Sequence, residues 1–284
     1  QVLFYVGNKQ TTGNEVEKAG LVGGTLYGLA VNGLAVETAG TTEGVRTFTL
    51  VNLNNLTNVL TASFDGLEQV AVSAGVSSFQ RVEDGAWNPN NPREFYFATT
   101  ASTSLPSRLW RLTFTDITQP TLGGTLEMVL NGTEGQIMMD NLCFDAQGNL
   151  VITEDPGGNN RLARIWKYYP ATDGFIALGQ SKPAYFTTGQ ANFITIDEEH
   201  SGVIDMTEIL GAGKYLYATQ VHSGTPVAGP NQTELAEGGQ LALMSISGNT
   251  PTLSVQPAPV NIGAGQSATF SVTASAGAQI QWYK

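Results

Sequence analysis

The chain has 284 residues, 24 acidic against 13 basic, for a formal net charge of -11 and a pI near 4.5. An acidic surface of this kind repels nucleic acid and anionic lipid, so neither is expected as a partner, and no stretch approaches the ~20 consecutive apolar residues of a membrane-spanning helix. The 41% hydrophobic content supports a sizeable core, and 33 glycines with only 13% charged residues suit a turn-rich β protein.

In chain order, short runs rich in Val, Ile, Thr, Phe and Tyr predict strands at 2–7, 25–31, 46–53, 93–100, 107–115, 124–130, 141–145, 149–153, 163–169, 174–178, 192–197, 214–220 and 240–247. "LEQVAVSAG" at 67–75 predicts a short helix. "DAQGN" between two of the strands is a tight hairpin turn, with Gly148 free to take positive φ. Strands returning at such regular spacing predict an all-β fold: a propeller, sandwich or barrel, with several hairpins per ~45 residues favouring the propeller. At about residue 248 the texture changes. "SGNTPT" reads as a linker, and the segment after it resembles the opening of a bacterial immunoglobulin-like domain, with "GQSATFSV" as its second strand and Trp282 as its core tryptophan. The expected division is therefore 1–248, a β-propeller or part of one lacking its N-terminal portion, and 249–284, a linker and partial Ig-like β-sandwich. The abrupt first and last strands suggest a piece cut from a longer chain.

Three acidic constellations stand out. "FQRVEDGAWNPNNP" places Arg81, Glu83 and Asp84 ahead of a rigid turn. Successive residues of an extended chain point to opposite sides, so a strand sends at most one of the two acids into a given site. "MDNLCFDAQGNLVITEDPGGNN" has Asp140 and Asn141 before one strand and Glu154 and Asp155 after the next, and the hairpin brings the two groups together. "ANFITIDEEHSGVIDM" crowds Asp197, Glu198, Glu199 and Asp205 around His200. Each has two readings: solvated turns capped by side-chain oxygens, or oxygen ligands for a hard cation such as Ca²⁺. Only one cysteine, Cys143, and two histidines, His200 and His222, are present, too few for a Cys/His zinc site. Cys143 sits among apolar residues and reads as a buried structural thiol. No G-x-S-x-G elbow, phosphate-binding loop or dinucleotide fingerprint occurs.

Taken in order, "LFYVGNKQTTGNEVEKAGLVGGTLYGLAV", "FQRVEDGAWNPNNPREFYFATT", "MDNLCFDAQGNLVITEDPGGN" and "FITIDEEHSGVIDM" resemble the secreted PhoX-type alkaline phosphatases and their bacterial relatives. The resemblance implies a β-propeller whose central site binds calcium, with iron in the characterised phosphatases, and which hydrolyses phosphate monoesters. It implies metal ligation by Glu83, Asp140, Asn141, Glu154 and Asp155 and places His200 near the phosphate; Asp84 is a further candidate ligand, and Arg81 and Lys9 are further candidates for the phosphate oxygens. The family's iron-ligating cysteine motif has no match, so Fe³⁺ is expected only if such a motif lies upstream. Two functions follow as expectations: a secreted, calcium-dependent phosphomonoesterase acting on small phosphate esters, or a non-catalytic extracellular propeller. The second would be a surface, adhesive or filament component meeting extracellular partners and self-associating through Ig-like repeats.

Overall fold

The computed structural model describes residues 1–54, 64–222, 238–246, 253–255, 260, 262–263 and 265–274. The chain divides into two compact units, Gln1–Ser245 and Ile246–Lys284.

The first unit is a succession of antiparallel meanders. Strands β1 (Leu3–Val6), β2 (Thr25–Val31) and β3 (Val45–Asn52) form one, and β4 (Val82–Trp87), β5 (Glu94–Thr99), β6 (Arg108–Phe114) and β7 (Gly124–Leu130) form the next. Pairing of β3 with β7, from Val45↔Glu127 to Phe48↔Gly124, fuses them into one seven-stranded sheet in the order β1-β2-β3-β7-β6-β5-β4. The sheet curls until Phe4 on β1 meets Trp87 on β4 and Phe95 on β5 edge-on. Inside the curl lie Leu29, Phe48, Phe97, Trp110, Leu112 and Leu126, each at most 2% exposed. Burying such side chains contributes ~1.5–3 kcal/mol apiece.

A four-stranded sheet follows, β8 (Met139–Phe144), β9 (Leu150–Glu154), β10 (Arg164–Tyr169) and β11 (Gly174–Gln180). The predicted hairpin joins β8 to β9. Asp145 Oδ1 accepts from the amides of Gln147 (2.9 Å) and Asn149 (2.8 Å), and Gly148 takes φ 81°. Strands β12 (Glu198–Asp205), β13 (Lys214–Val221) and β14 (Gly238–Ser245) make the last sheet. Strands β4, β8 and β12, each the first of its meander, pack side by side. Consecutive meanders laid together by their opening strands are a propeller-like, all-β arrangement. A second apolar core, including Tyr96, Leu109, Met139, Ile152 and Trp166, fills the space between the β4–β7 and β8–β11 strands.

Helices are short: α1 (Glu15–Lys18), α2 (Phe64–Ser73), α3 (Pro183–Phe186) and α4 (Thr207–Leu210). The expected helix at 67–75 is α2, which buries Ala71 against Leu53 and Val76. Two expectations are corrected. Residues 192–197 form no strand; Ile194 is drawn back to α3 by its amide bond to the Tyr185 carbonyl (2.7 Å), and the strand begins at Glu198. Conversely "VEDGAW", read as a loop, is strand β4.

In the second unit, β15 (Leu253–Val255) pairs with β16 (Thr273–Ala274). Among the described residues, 266–272, within the Ig-like strand expected at 265–272, carry no ladder, and Phe270 is exposed. Trp282 and the expected boundary at 248 lie outside the described residues.

Candidate functional site

The acids converge because of irregularities in the inner strands. The β4–β5 register slips between Val82 and Gly85, the β8–β9 register between Met139 and Leu142, and the β12–β13 register between Ser201 and Val203. Glu83, Asp84, Asp140 and Asn141 all fall within these bulges, which turn side chains away from strict alternation. The residues leading into β4 and β8, Arg81 (φ 60°) and Met138 (φ 46°), are left-handed although neither is glycine. Such conformations cost ~1–3 kcal/mol and persist where the surroundings enforce them.

Asp140 is the centre of the group. Burial, then the charges of Glu83, Asp155 and Asp84, push its carboxyl up to about 6, with Arg81 partly opposing them. Glu199 on β12 is raised as well, first by burial and then by Asp155, with which it is in hydrogen-bonding reach. Arg81 pairs with Glu83 at 3.1 Å, and His222 lies 3.8 Å from Glu199. Gln220 also donates to Glu199. Five carboxylates thus share a neighbourhood with one guanidinium and one imidazole. Among the described residues, no three His, Cys, Asp or Glu side chains are already placed to hold a metal ion.

Several residues expected as ligands serve the scaffold instead. Glu154 is fully buried, and both its oxygens are taken. Oε1 accepts from Ile137 N (2.9 Å) and Trp166 Nε1 (2.7 Å), Oε2 from Arg164 N (3.1 Å) and Arg161 Nε (3.0 Å), and Arg161 Nη2 also donates to Oε1. That carboxylate anchors the β9–β10 connection, with both oxygens already engaged. Asp84 spends one oxygen on Gly85 N (2.7 Å) and the other on Leu142 N (3.0 Å), stitching β4 to β8. Asn141 Oδ1 accepts from Gly202 N (2.7 Å) and so ties β8 to the β12 bulge. Asp155 has a mixed role: Oδ1 caps its own turn by accepting from Gly157 N (3.1 Å), while the carboxyl also faces Glu199. Its loop is held against β12 by Gly158 N donating to Asp197 Oδ1 (2.6 Å).

The expected phosphate-binding residues separate. Arg81 borders the cluster. Lys9 is exposed in the β1–α1 loop, and among the described residues its ammonium makes no hydrogen bond or ion pair with the cluster. His200 does not border the cluster: it alternates with Glu199 along β12 and points to the other side, where its Nδ1 lies 3.0 Å from Thr219 Oγ1 and its Nε2 3.3 Å from Ser181 Oγ. The histidine near the carboxylates is His222. His222 and Glu199 were missed as partners because the β12–β13 ladder that joins their strands is not legible locally. Burial pushes the Cys143 thiol up to about 12, which disfavours the free thiolate.

No protein-family model matches the chain, and neither does any curated protein. Among solved structures, it is similar to that of Pseudomonas fluorescens PhoX in complex with vanadate, a transition state analogue, with a TM-score of 0.55 and 14% identity. The match covers 86% of this chain and 50% of that one, so the chain spans about half the length of the PhoX structure. At this identity the likeness is one of fold, and the protein has a PhoX-like β-propeller-type fold in which the inner strands carry the carboxylate cluster.

Proposed function

We propose that the chain is a metal-dependent phosphomonoesterase of the PhoX type, secreted, with Glu83, Asp140, Asp155 and Glu199 taking up a hard divalent cation, Ca²⁺ first. The observation that supports this most is the crowding of carboxylates around Asp140, on a fold shared with a phosphatase structure. The donors fit such a cation in kind: all are carboxylate oxygens and the group carries excess negative charge. Iron is left out of the proposal because the family's iron-ligating cysteine motif has no match in this sequence.

A bound cation would neutralise phosphate charge and activate a nucleophile. The chain's own residues supply the rest. Arg81, more than half exposed and tethered by Glu83, presents a planar guanidinium suited to two phosphate oxygens. Without a cation, burial and then Asp155 raise the Glu199 carboxyl beside His222, so cation binding there would displace a proton. Asp84 and Asn141 fix the three inner strands at their bulges and so set the spacing of the ligands.

The test is a pair of measurements on one preparation. Calcium should raise the melting temperature relative to chelator, by about 2.7 kcal/mol of stability at a hundredfold excess over Kd. Calcium-loaded protein should hydrolyse p-nitrophenyl phosphate, and Arg81→Ala should lose at least tenfold in kcat/KM. Superimposed melts with and without calcium would refute the cation site. Calcium stabilisation with intact ester would favour the second reading, a non-catalytic extracellular propeller. One feature favours that reading: Ile204, Leu216 and Leu243 form a cross-strand apolar row on β12–β14, with Ile204 57% and Leu243 51% exposed, which suits a packing surface.

A further inference from the structure

The face of the β12–β14 sheet that carries His200 encloses a cavity of about 560 Å³ against the end of β11 and α3. This is within the ~300–1,000 Å³ typical of small-ligand sites. It lies on the opposite side of β12 from Glu199, so it is not the carboxylate cluster. Tyr185, Phe186, Ile194 and Tyr217 supply apolar and aromatic wall. Ser181, Lys182, Thr219 and Gln240 supply polar groups.

Two properties of this lining set it apart from the rest of the molecule. The chain carries 24 acids to 13 bases, yet among the described residues no Asp or Glu lines the cavity, and Lys182 does. Glu198, on the same strand as His200, is 1% exposed and accepts from Ala163 N (3.1 Å). The imidazole of His200 is fixed between Ser181 and Thr219 and stacks edge-on against Tyr217, with centroids 5.3 Å apart. The Ser181 and Thr219 hydroxyls thus bracket the imidazole at the wall beside Tyr217.

We propose that this cavity is a binding site for a small organic anion with a planar aromatic body, the ring lying among Tyr185, Phe186 and Tyr217 and the anionic group meeting Lys182. Among the described lining residues a cation would find no carboxylate to meet it, and a neutral aromatic would forgo the ammonium. Burial keeps the His200 ring uncharged near neutral pH by holding its pKa down at about 4, so Lys182 supplies the positive charge at the wall. The inference is independent of the phosphatase reading.

The probe is 1-anilinonaphthalene-8-sulfonate, titrated by fluorescence into the full chain, with its neutral analogue N-phenyl-1-naphthylamine as the charge control. Saturable binding at one site is expected, with the neutral analogue and the Lys182→Glu variant each about tenfold weaker for lack of the ion pair. Ile194→Trp, at a partly exposed position of the wall, should abolish binding by filling the space. Leu243→Lys, on the opposite face, and calcium or chelator should leave affinity unchanged. Each variant's melting curve checks that it is folded. Unsaturable fluorescence, equal affinity for the neutral analogue, or loss through Leu243→Lys with Lys182→Glu silent would each overturn the proposal.

Discussion

Replacing Glu154 by Gln separates a structural carboxylate from a ligand. Glu154 accepts from five N–H donors: three on Oε1, from Ile137, Trp166 and Arg161, and two on Oε2, from Arg164 and Arg161. A glutamine has one carbonyl oxygen. Whichever way the amide turns, its NH₂ faces at least two N–H donors, and Arg161, only 18% exposed, loses its counter-charge. Breaking a buried pair by removing one partner costs ~3–5 kcal/mol. In a unit of this size each kcal/mol moves the midpoint by ~2–4 °C, so Glu154→Gln should melt ~6–20 °C below wild type. Calorimetry with and without calcium reads this directly. The fall should be equal in both conditions, because Glu154 is taken up by the scaffold. A shift below ~2 °C would refute the hydrogen-bond reasoning, and a shift present only with calcium would restore Glu154 as a ligand.

Asp140→Asn should stabilise the chelated protein near pH 7 by up to ~3 kcal/mol. A carboxyl raised from 3.8 to about 6 in the fold contributes stability below pH 3.8 that is lost as pH rises through 6. The gain of the variant must therefore vanish in acid, and a pH-independent gain would contradict it. For His200, lowered from 6.5 to about 4 by burial, the sign is opposite: full stability above pH 6.5, with up to ~3 kcal/mol lost as pH falls towards 4. His200→Gln should flatten that part of the acid limb, and an unchanged slope of the wild-type-minus-variant difference would count against it. Cys143, its thiol pushed up to about 12, should resist 5,5′-dithiobis(2-nitrobenzoate) at pH 8 in the native state and react fully in denaturant; rapid native labelling would show an open, acidic thiol.

Much of the architecture is written in local pattern. Strands such as Thr25–Val31 and Gly124–Leu130 run where alternation and turn residues place them, and the "DAQGN" hairpin follows from Asp145 and Gly148 alone. Strand β4 was not legible, since Glu83-Asp84-Gly85 has low strand propensity and is held by its ladder to β5 and by Asp84 reaching Leu142. Proximity of Asp140 to Glu83 and Asp155 could be anticipated from a shared hairpin and a family likeness. Which carboxylate is free and which is consumed could not. Glu154 and Asp155 are neighbours in sequence, yet one faces Arg161 and Trp166 and the other Glu199. That difference depends on which partners the β9–β10 connection delivers.

Among the described strands of the first unit, every ladder but one joins neighbours in sequence, the exception being β3 with β7. Hairpins of this kind close in ~1–10 μs, so each meander can form as soon as its own strands exist. The carboxylate cluster has no such local origin. It needs β4, β8 and β12, one from each of three meanders, to be docked together. On a ribosome releasing the chain N-terminus first, the sheets would appear in turn while the like charges of Glu83, Asp140 and Asp155 gathered without Glu199 and His222. Completion of the anionic centre is thus deferred until β12 and β13, which bring Glu199 and His222, are synthesised. Cation capture during biogenesis would mark that moment as a late checkpoint.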